Sequence, residues 1–312
     1  MILHSILLTA GIALLYLGSE WMVRGASALA LAFYIRPVII GLTVVAFATS
    51  APELLVSLIA AIKGSSGVSL GNILGSNVAN MGLVLGSSAL VKPQGVDRGL
   101  LTRELPFMIG VSGLFWLICL DGEIGRLDGV ILLAGLGTFL LMGLITARTG
   151  IQITVDPGAA REAKKIVWQG ILILSGLGGL MAGAHIIVNS AIFIAEHLGL
   201  SEVFIGLSIV AVGTSLPELA TSVVAGAKGE HDISIGNVVG SNVFNVCMVI
   251  GAVGAFNPMA VDIASLQLKF AGMIALSLLL FVFCRTNYMI TRLEGLFLLI
   301  SFFAFIALSF WL

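Results

Sequence analysis

The stretch that decides the fold is residues 41–86, which read GLTVVAFATSAPELLVSLIAAIKGSSGVSLGNILGSNVANMGLVLG. The pattern recurs at residues 206–251, which read GLSIVAVGTSLPELATSVVAGAKGEHDISIGNVVGSNVFNVCMVIG. The offset is 165 residues without a gap, and residues 41–90 and 206–255 agree at 23 of 50 positions. The repeated positions include Thr, Ser, Pro, Glu and Asn, which a lipid environment disfavours. Helix packing alone would explain repeated Gly and Leu but not these polar residues, so the duplication indicates a function.

The composition is that of an integral membrane protein. Of the 312 residues, 59% are hydrophobic and 10% are charged, and the mean hydropathy is +1.14. A soluble domain carries about 25% charged residues. A soluble enzyme, a disordered protein and a nucleic-acid-binding protein are therefore poor fits, and the net charge of −1 offers no basic surface for phosphate. The three cysteines form neither a metal-binding spacing nor a disulfide framework.

The apolar segments predict an all-α integral membrane fold. About 20 apolar residues cross the hydrocarbon layer as a helix. On that template the chain has ten spans, near residues 2–23, 38–62, 71–91, 104–120, 127–146, 167–190, 203–227, 236–256, 266–284 and 292–312. Strict alternation of polar and apolar residues is absent from the sequence, which disfavours an outer-membrane barrel.

The basic residues predict the orientation of these spans. When the loops are assigned alternately to two faces, one face holds 3 of the 15 Lys and Arg residues (Lys63, Arg126 and Lys269) and the other holds 12. The basic face is expected to be cytoplasmic. This places both termini and the Lys63 turn outside the cytoplasm, in a multi-pass protein of the cell (plasma or inner) membrane.

The duplication predicts two halves of five helices each. We expect a first repeat over residues 1–146, a cytoplasmic linker over residues 147–166 and a second repeat over residues 167–312. The α-repeats proper are residues 41–90 and 206–255. Because five is an odd number, the halves enter the bilayer in opposite directions, and inverted repeats of this kind are typical of transporters that bind their substrate near the midplane.

Two carboxylates lie where the bilayer should exclude them. Glu53 and Glu218 each fall about midway along a predicted span, where an unpaired charge costs several kcal/mol. No Lys or Arg falls at comparable depth in the other spans, so we expect the compensating charge to be a bound cation. A protonated Glu buried in the core would explain one such residue more easily than two that are related by the repeat.

Hydroxyl and amide side chains accompany both carboxylates. Thr49 and Ser50 share a helical face with Glu53, and Thr214 and Ser215 do the same with Glu218. The next helix of each unit carries a polar stripe at a spacing of four, formed by Asn72, Ser76 and Asn80 in the first unit and by Asn237, Ser241 and Asn245 in the second. Asn77 and Asn242 lie off these stripes, and we expect them to hydrogen-bond to other helices. Hard oxygen donors without His or Cys suit Ca²⁺, and Na⁺ can share them.

Each carboxylate is also preceded by a proline. Pro52 lacks an amide proton and would free the carbonyl of Ala48, and Pro217 would do the same for Gly213. A free carbonyl in mid-membrane is tolerated where it lines a cavity or finds a partner. It could face an ion here.

The segments TSAPE (49–53) and GNILGSNVAN (71–80), with TSLPE (214–218) and GNVVGSNVFN (236–245), resemble the two α-repeats of sodium/calcium exchangers of the cation/calcium exchanger superfamily. The prokaryotic members are most similar. The resemblance implies a ten-helix exchanger that needs no cofactor and no obligate protein partner besides the lipid bilayer. The ligands that it implies are Thr49, Ser50, Glu53, Ser76 and Asn80, their counterparts Thr214, Ser215, Glu218, Ser241 and Asn245, and the backbone carbonyls of Ala46 and Ala211. Some relatives carry Asp at the position of Asn245, so a proton-linked role of that position is in doubt here.

The resemblance implies a secondary active transporter that exchanges Ca²⁺ for Na⁺ by alternating access, and not an enzyme. A Ca²⁺/H⁺ antiporter of the same superfamily is the nearest alternative, because glutamates also accept protons, and K⁺ co-transport remains open. A cation channel is an alternative of a different class, although pores usually arise from several subunits around an axis. An intramembrane enzyme is disfavoured because no nucleophile and base accompany the glutamate pair.

Overall fold

The computed structural model describes residues 2–147, 166–197 and 211–311, and it is helical almost throughout. We number the α-helices in chain order. They are α1 (Ile2–Phe33), α2 (Pro37–Ile40), α3 (Ala46–Thr49), α4 (Ala51–Ile62), α5 (Ser66–Ala79), α6 (Leu85–Val91), α7 (Leu105–Ile118), α8 (Arg126–Thr146), α9 (Ile166–His197), α10 (Ala211–Thr214), α11 (Leu216–Lys228), α12 (His231–Val243), α13 (Gly251–Phe256), α14 (Ile263–Arg285) and α15 (Arg292–Trp311).

Several of these helices are joined end to end by π-helical turns. The turns are Gly41–Val45 between α2 and α3, Asn80–Val84 between α5 and α6, Leu100–Glu104 before α7 and Phe244–Ile250 between α12 and α13. A 3-10 turn, Cys119–Asp121, ends α7. In the described residues, eight continuous helical stretches are long and apolar enough to cross a bilayer. A ninth, Pro37–Thr49 with Ala51–Ile62, is bent by 44°.

The described helices overlap the spans expected from the sequence, but several extend beyond the expected ends. The helices α5 and α12 begin at Ser66 and His231 rather than near residues 71 and 236, and α9 continues to His197 rather than ending near residue 190. The first span was expected to end near residue 23, but α1 continues to Phe33, and Arg24 lies inside the helix with its side chain exposed. Arg103, expected just outside a span, lies within the π-helical turn Leu100–Glu104. Long basic side chains can extend toward the membrane surface, so a charge does not by itself end a helix. Residues 148–165 of the expected linker and residues 203–210 of the expected seventh span lie outside the described residues.

Short strands pair the two halves at corresponding positions. The strands are β1 (Gln94–Gly95), β2 (Glu123–Ile124), β3 (Met259–Ala260) and β4 (Met289–Ile290), and β1 pairs antiparallel with β4 while β2 pairs antiparallel with β3. Gln94 and Met259 are 165 residues apart. The same offset relates Gly122 and Asn287, which both have positive φ, at 86° and 56°. The duplication seen in the sequence therefore extends to the backbone.

The interior is formed by the α5–α6 and α12–α13 stretches. The most apolar windows of these two stretches are 78% and 83% buried, whereas the corresponding window at α15 is 17% buried. Gly240 of α12 packs against the bent helix of the first half, Pro37–Thr49 with Ala51–Ile62. A Cβ at Gly240 would be 2.5 Å from the Leu42 carbonyl oxygen and 2.7 Å from the Ala46 Cβ. Small residues of this kind let backbones approach closely. The bent helix and α12 are thus closely packed against each other in the interior.

The longest helices, α1 and α9, pack along each other on the outside of this core. Both are 32 residues long. The C-terminal half of α1 contacts the end of α11 and the turn that follows it. Lys228 Nζ lies 2.8 Å from Glu20, and the Ser27 hydroxyl donates to Glu230 at 3.0 Å. The outer face of α1 carries exposed apolar side chains such as Leu3 and Ile12, as expected of a surface that faces lipid.

Candidate cation site

Two broken helices position the carboxylates. Ser50 separates α3 from α4 with φ −81° and ψ 2°, and Ser215 separates α10 from α11 with φ −85° and ψ 3°. Pro52 and Pro217 stand in the first turn of the following helices, where no amide proton is needed. Glu53 and Glu218 also lie in those first turns. Each helix is thus broken beside its carboxylate, but the Ala48 carbonyl, expected to be free, accepts a backbone N–H at the end of α3.

Both carboxylates are completely buried, and neither accepts a well-formed hydrogen bond in the described part of the chain. Glu53 and Glu218 are 0% exposed, and among the described residues none donates a hydrogen bond of ordinary geometry to any of their four carboxylate oxygens. The hydroxyls of Thr214 and Ser76 lie beside Glu53, and that of Thr49 lies beside Glu218. The two carboxylates are also near enough to repel each other. Two buried carboxylates so arranged need a bound cation or protons to neutralise them.

Further oxygen atoms around the carboxylates lack a partner in the described structure. Each belongs to a residue that the sequence singled out, and each is buried; they are the hydroxyls of Ser50, Ser76 and Ser215 and the amide oxygens of Asn80 and Asn245. Unsatisfied buried polar atoms are rare in native proteins. Their concentration here, together with the carboxylates, forms a set of hard oxygen donors suited to Ca²⁺ or Na⁺.

Two crossed amide pairs orient the central asparagines. Asn80 Nδ2 donates to Asn242 Oδ1 at 3.1 Å, and Asn245 Nδ2 donates to Asn77 Oδ1 at 3.0 Å. The amide groups of Asn77 and Asn242 in turn contact the sulfur atoms of Met273 and Met108, both at 3.5 Å. The expectation that Asn77 and Asn242 bond to other helices is therefore confirmed. The pairing leaves the oxygen of Asn80 and of Asn245 without a donor.

The structure also connects the two halves through Thr49. Its hydroxyl lies 3.3 Å from that of Ser241 and donates to Asn237 Oδ1 at 3.1 Å. The carbonyl of Ala46, which the resemblance implies as a ligand, already accepts the Ser50 amide proton at 3.0 Å and lies 3.4 Å from the Thr49 hydroxyl. Ala211, the other implied carbonyl ligand, is the first residue of α10.

The sequence reasoning missed four serines that support this site. Ser57 and Ser222 accept hydrogen bonds from Asn72 and Asn237, both at 3.0 Å. The hydroxyls of Ser57 and Ser222 then face the carbonyls of Ser69 and Ser234, at 3.5 Å and 3.3 Å. The signal was available, because each pair of serines is related by the 165-residue offset.

The ligand set is not typical of a transition-metal site. In the part of the chain that the structure describes, no group of three His, Cys, Asp or Glu residues gathers where it could hold a metal ion. Two carboxylates surrounded by hydroxyls and amides favour a hard, weakly held cation. The helices around these residues are long and apolar enough to cross a bilayer, which defines a multi-pass membrane protein.

Comparison with known proteins identifies the family. The model of the family "Sodium/calcium exchanger protein" matches residues 3–144 and 168–311, so the chain belongs to this family. It is 36% identical over 309 residues to the putative antiporter CaxA of Alkalimonas amylolytica, with 97% of each chain covered. It is 33% identical over 345 residues to the sodium/calcium exchanger MaX1 of Methanosarcina acetivorans, with 98% of each covered. It is similar to the structure of the sodium-calcium exchanger NCX_Mj soaked with Na⁺ and Ca²⁺, with a TM-score of 0.85, 32% identity and 98% of each chain covered. The protein is a transporter of the cation/calcium exchanger type.

Proposed function

We propose that this protein exchanges Ca²⁺ for Na⁺ across the cell membrane by alternating access, with both ions competing for one interior site. The observation that carries the proposal is the pair of fully buried carboxylates, Glu53 and Glu218, neither of which accepts a well-formed hydrogen bond in the described part of the chain. Two relatives with exchanger names and the family membership support the choice of Na⁺ and Ca²⁺ as the transported ions.

The proposed site comprises the residues that the resemblance implies. The side-chain ligands are Thr49, Ser50, Glu53, Ser76, Asn80, Thr214, Ser215, Glu218, Ser241 and Asn245, and the backbone ligands are the carbonyls of Ala46 and Ala211. With two formal negative charges, this set is neutralised by one Ca²⁺ or by two Na⁺. A load of three Na⁺ would leave one positive charge. Too few negative charges are present to hold Ca²⁺ and a full Na⁺ load together, which is the physical basis for competition and hence for exchange.

The proposed architecture is ten membrane spans arranged as two inverted five-helix repeats. Residues 1–146 form the first, residues 147–166 form a cytoplasmic linker and residues 167–312 form the second, with both termini outside the cytoplasm. Strand pairs and hydrogen bonds that recur at the 165-residue offset support the duplication. The outer pair α1 and α9 slides across the core to expose the site on alternate sides, while the described structure holds both carboxylates away from solvent.

The test is Ca²⁺ flux in proteoliposomes that contain the purified full-length chain, with gradients of Na⁺, K⁺ and H⁺ imposed one at a time. An outward Na⁺ gradient should drive Ca²⁺ uptake, and the uptake should stop when Na⁺ is replaced by choline. Uptake driven by a pH gradient in the absence of Na⁺ would instead indicate the Ca²⁺/H⁺ antiporter. Single-channel currents in planar bilayers would indicate a channel and overturn alternating access.

A further inference from the structure

Asn237 lies next to the proposed site and bonds to Thr49, a proposed ligand, but is not itself among the proposed ligands. Asn237 is completely buried in α12, and its Oδ1 accepts the hydrogen bond of the Thr49 hydroxyl at 3.1 Å. Thr49 is also completely buried, so this proton has no access to water. Asn237 is therefore the nearest acceptor among the hydrogen-bond partners of the Thr49 hydroxyl.

The direction of that proton matters for cation binding. A hydroxyl has one proton and two lone pairs, and a cation can contact the lone pairs only if the proton points elsewhere. The carboxylate of Glu218 lies beside Thr49 and is a competing acceptor. If Thr49 donated to Glu218, the proton would cover a carboxylate oxygen that the cation needs. An acceptor outside the site removes this conflict.

The second nearby acceptor is weaker. The carbonyl oxygen of Ala46 lies 3.4 Å from the Thr49 hydroxyl and already accepts the Ser50 amide proton at 3.0 Å. The contact to Asn237 is shorter and joins two different helices. With the Thr49 proton committed to Asn237, the neighbouring Ser241 hydroxyl at 3.3 Å must be the donor to Thr49. The Ser241 proton is then also directed away from the carboxylates.

The amide of Asn237 is itself fixed in orientation. Its Nδ2 donates to the Ser222 hydroxyl at 3.0 Å, and that hydroxyl faces the Ser234 carbonyl at 3.3 Å. The carbonyl of Ser222 accepts further hydrogen bonds from Ser88 and Ser234, both at 2.9 Å. If the amide were flipped, it would point two N–H groups at Thr49 and lose its bond to Ser222. The serine thus keeps the amide oxygen toward the site.

The asparagine–serine part of this arrangement also occurs in the first half of the chain. Asn72 Nδ2 donates to the Ser57 hydroxyl at 3.0 Å, and Ser57 faces the Ser69 carbonyl at 3.5 Å. All three residues lie 165 positions before Asn237, Ser222 and Ser234. In the first half Asn72 Nδ2 also lies 3.5 Å from the Glu53 carbonyl, so the recurring part is the bond that fixes the asparagine amide.

We propose that Asn237, whose amide orientation is fixed by Ser222, is a positioning residue that turns the Thr49 proton away from the cation. This inference rests on the proposed function, because it assigns the orientation of a ligand of that site. Asn237 itself is not assigned as a ligand. The effect should appear in Ca²⁺ affinity and should depend on the presence of the Thr49 hydroxyl.

The experiment measures equilibrium binding of radioactive Ca²⁺ to the purified full-length protein in detergent. Ser222→Ala removes the acceptor that fixes the Asn237 amide and should raise the Kd for Ca²⁺ about five- to tenfold, the effect of losing one buried hydrogen bond. Ser222→Thr keeps the hydroxyl and should restore most of the affinity. The matched control is Ser112→Ala, since Ser112 is a buried serine whose hydroxyl bonds only to its own helix, at the Met108 carbonyl.

A double-mutant cycle separates positioning from a general structural effect. In the Thr49→Val background there is no hydroxyl proton to direct, so Ser222→Ala should cause no further loss of affinity. Losses that add fully in the double mutant would overturn the inference, as would a Ser222→Ala Kd equal to that of Ser112→Ala. If the wild-type protein binds no Ca²⁺, the proposed function is wrong and the inference is wrong with it. If the wild type binds Ca²⁺ and Ser222→Ala binds it equally well, only the inference is wrong.

Discussion

The side-chain amide of Asn245 donates a hydrogen bond to Oδ1 of Asn77 at 3.0 Å, and this contact determines which end of the Asn245 amide is available to an ion. The nitrogen is committed, while Oδ1 is buried without a donor among the described residues. Asn80 and Asn242 form the corresponding contact at 3.1 Å. Both central asparagines therefore present a neutral oxygen, and the two glutamates supply the whole formal charge of the proposed site.

The first prediction follows from the neutrality of Asn245. In Asn245→Asp a third carboxylate lies beside two others in a dry interior, and it will hold a proton until a cation displaces it. The Kd for Ca²⁺ should therefore fall as pH rises, and it should fall more steeply than in the wild type. The extra change is at most about tenfold per pH unit, which corresponds to the release of one additional proton on binding. The measurement is Ca²⁺ binding between pH 6 and pH 8.

A suitable control for this prediction is Asn257→Asp. Asn257 follows α13 and bonds to the Ala61 carbonyl at 2.9 Å, away from the carboxylate pair. This variant adds the same charge and should leave the slope of the wild type unchanged. Equal slopes for Asn245→Asp and the wild type would mean that residue 245 does not contribute to the ion site.

The second prediction concerns the two glutamates. Glu53→Gln and Glu218→Gln each keep the size of the side chain and remove one charge that Ca²⁺ neutralises. Ca²⁺ at about 100 times its Kd should stabilise the wild type by about 2.7 kcal/mol through binding to the folded state alone. Both variants should lose this stabilisation by Ca²⁺, and both should lose Ca²⁺ uptake under a Na⁺ gradient. The measurements are the thermal unfolding midpoint with and without Ca²⁺ and uptake under a Na⁺ gradient.

Glu123→Gln is the matched control for the glutamate variants, because Glu123 is an exposed acid in β2. It should respond to Ca²⁺ as the wild type does. Persistence of the Ca²⁺-induced stabilisation in both Glu53→Gln and Glu218→Gln would remove these residues from the site.

The sequence was sufficient to identify the membrane class, the duplication and the polar residues of the interior. Glu53 and Glu218 could be recognised because charge is so costly inside a bilayer that two matched carboxylates demand an explanation. Helical periodicity placed Asn77 and Asn242 off the polar stripes and predicted that they bond to other helices. The structure confirms this prediction.

Other features depend on contacts between distant helices and could not be predicted from the pattern. The end of α1 was misplaced because Arg24 was interpreted as a loop residue. Ser57 and Ser222 were passed over because a serine within a helix often bonds to its own backbone, and the packing of the neighbouring helix determines whether it accepts an asparagine instead. Periodicity shows the face on which a residue lies, but the partner on the next helix depends on tertiary packing.

The third prediction tests the helix break beside Glu53. In Pro52→Ala the new amide proton can donate to the Ala48 carbonyl, which favours a continuous helix through Ser50. The variant should be more stable to heat, and it should bind Ca²⁺ roughly tenfold more weakly, about 1.4 kcal/mol, because Thr49 and Ser50 leave their positions beside the carboxylates. The comparison is Pro106→Ala, which changes an exposed proline in the first turn of α7. Undiminished Ca²⁺ affinity in Pro52→Ala would show that the break is not required for binding.

The fourth prediction tests the movement of α1 against α9. Gly176 of α9 faces the α1 backbone, where a Cβ would lie 2.7 Å from the Gly18 carbonyl oxygen and 2.7 Å from the Met22 amide nitrogen. Backbone atoms cannot move aside as a side chain can, so Gly176→Ala must push the two helices apart.

The proposed site lies on α3–α4, α10–α11 and the central helices. Gly176→Ala should therefore bind Ca²⁺ with nearly wild-type affinity. Its Na⁺-driven uptake rate should fall about tenfold, as expected when a conformational step limits turnover. Gly178→Ala is the matched control in the same helix, because Gly178 is exposed and its Cβ would meet no described atom within 4 Å. The two variants are compared by radioactive Ca²⁺ binding in detergent and by uptake into proteoliposomes. If Gly176→Ala transports as fast as Gly178→Ala, the close packing of α1 on α9 does not govern the exchange of access.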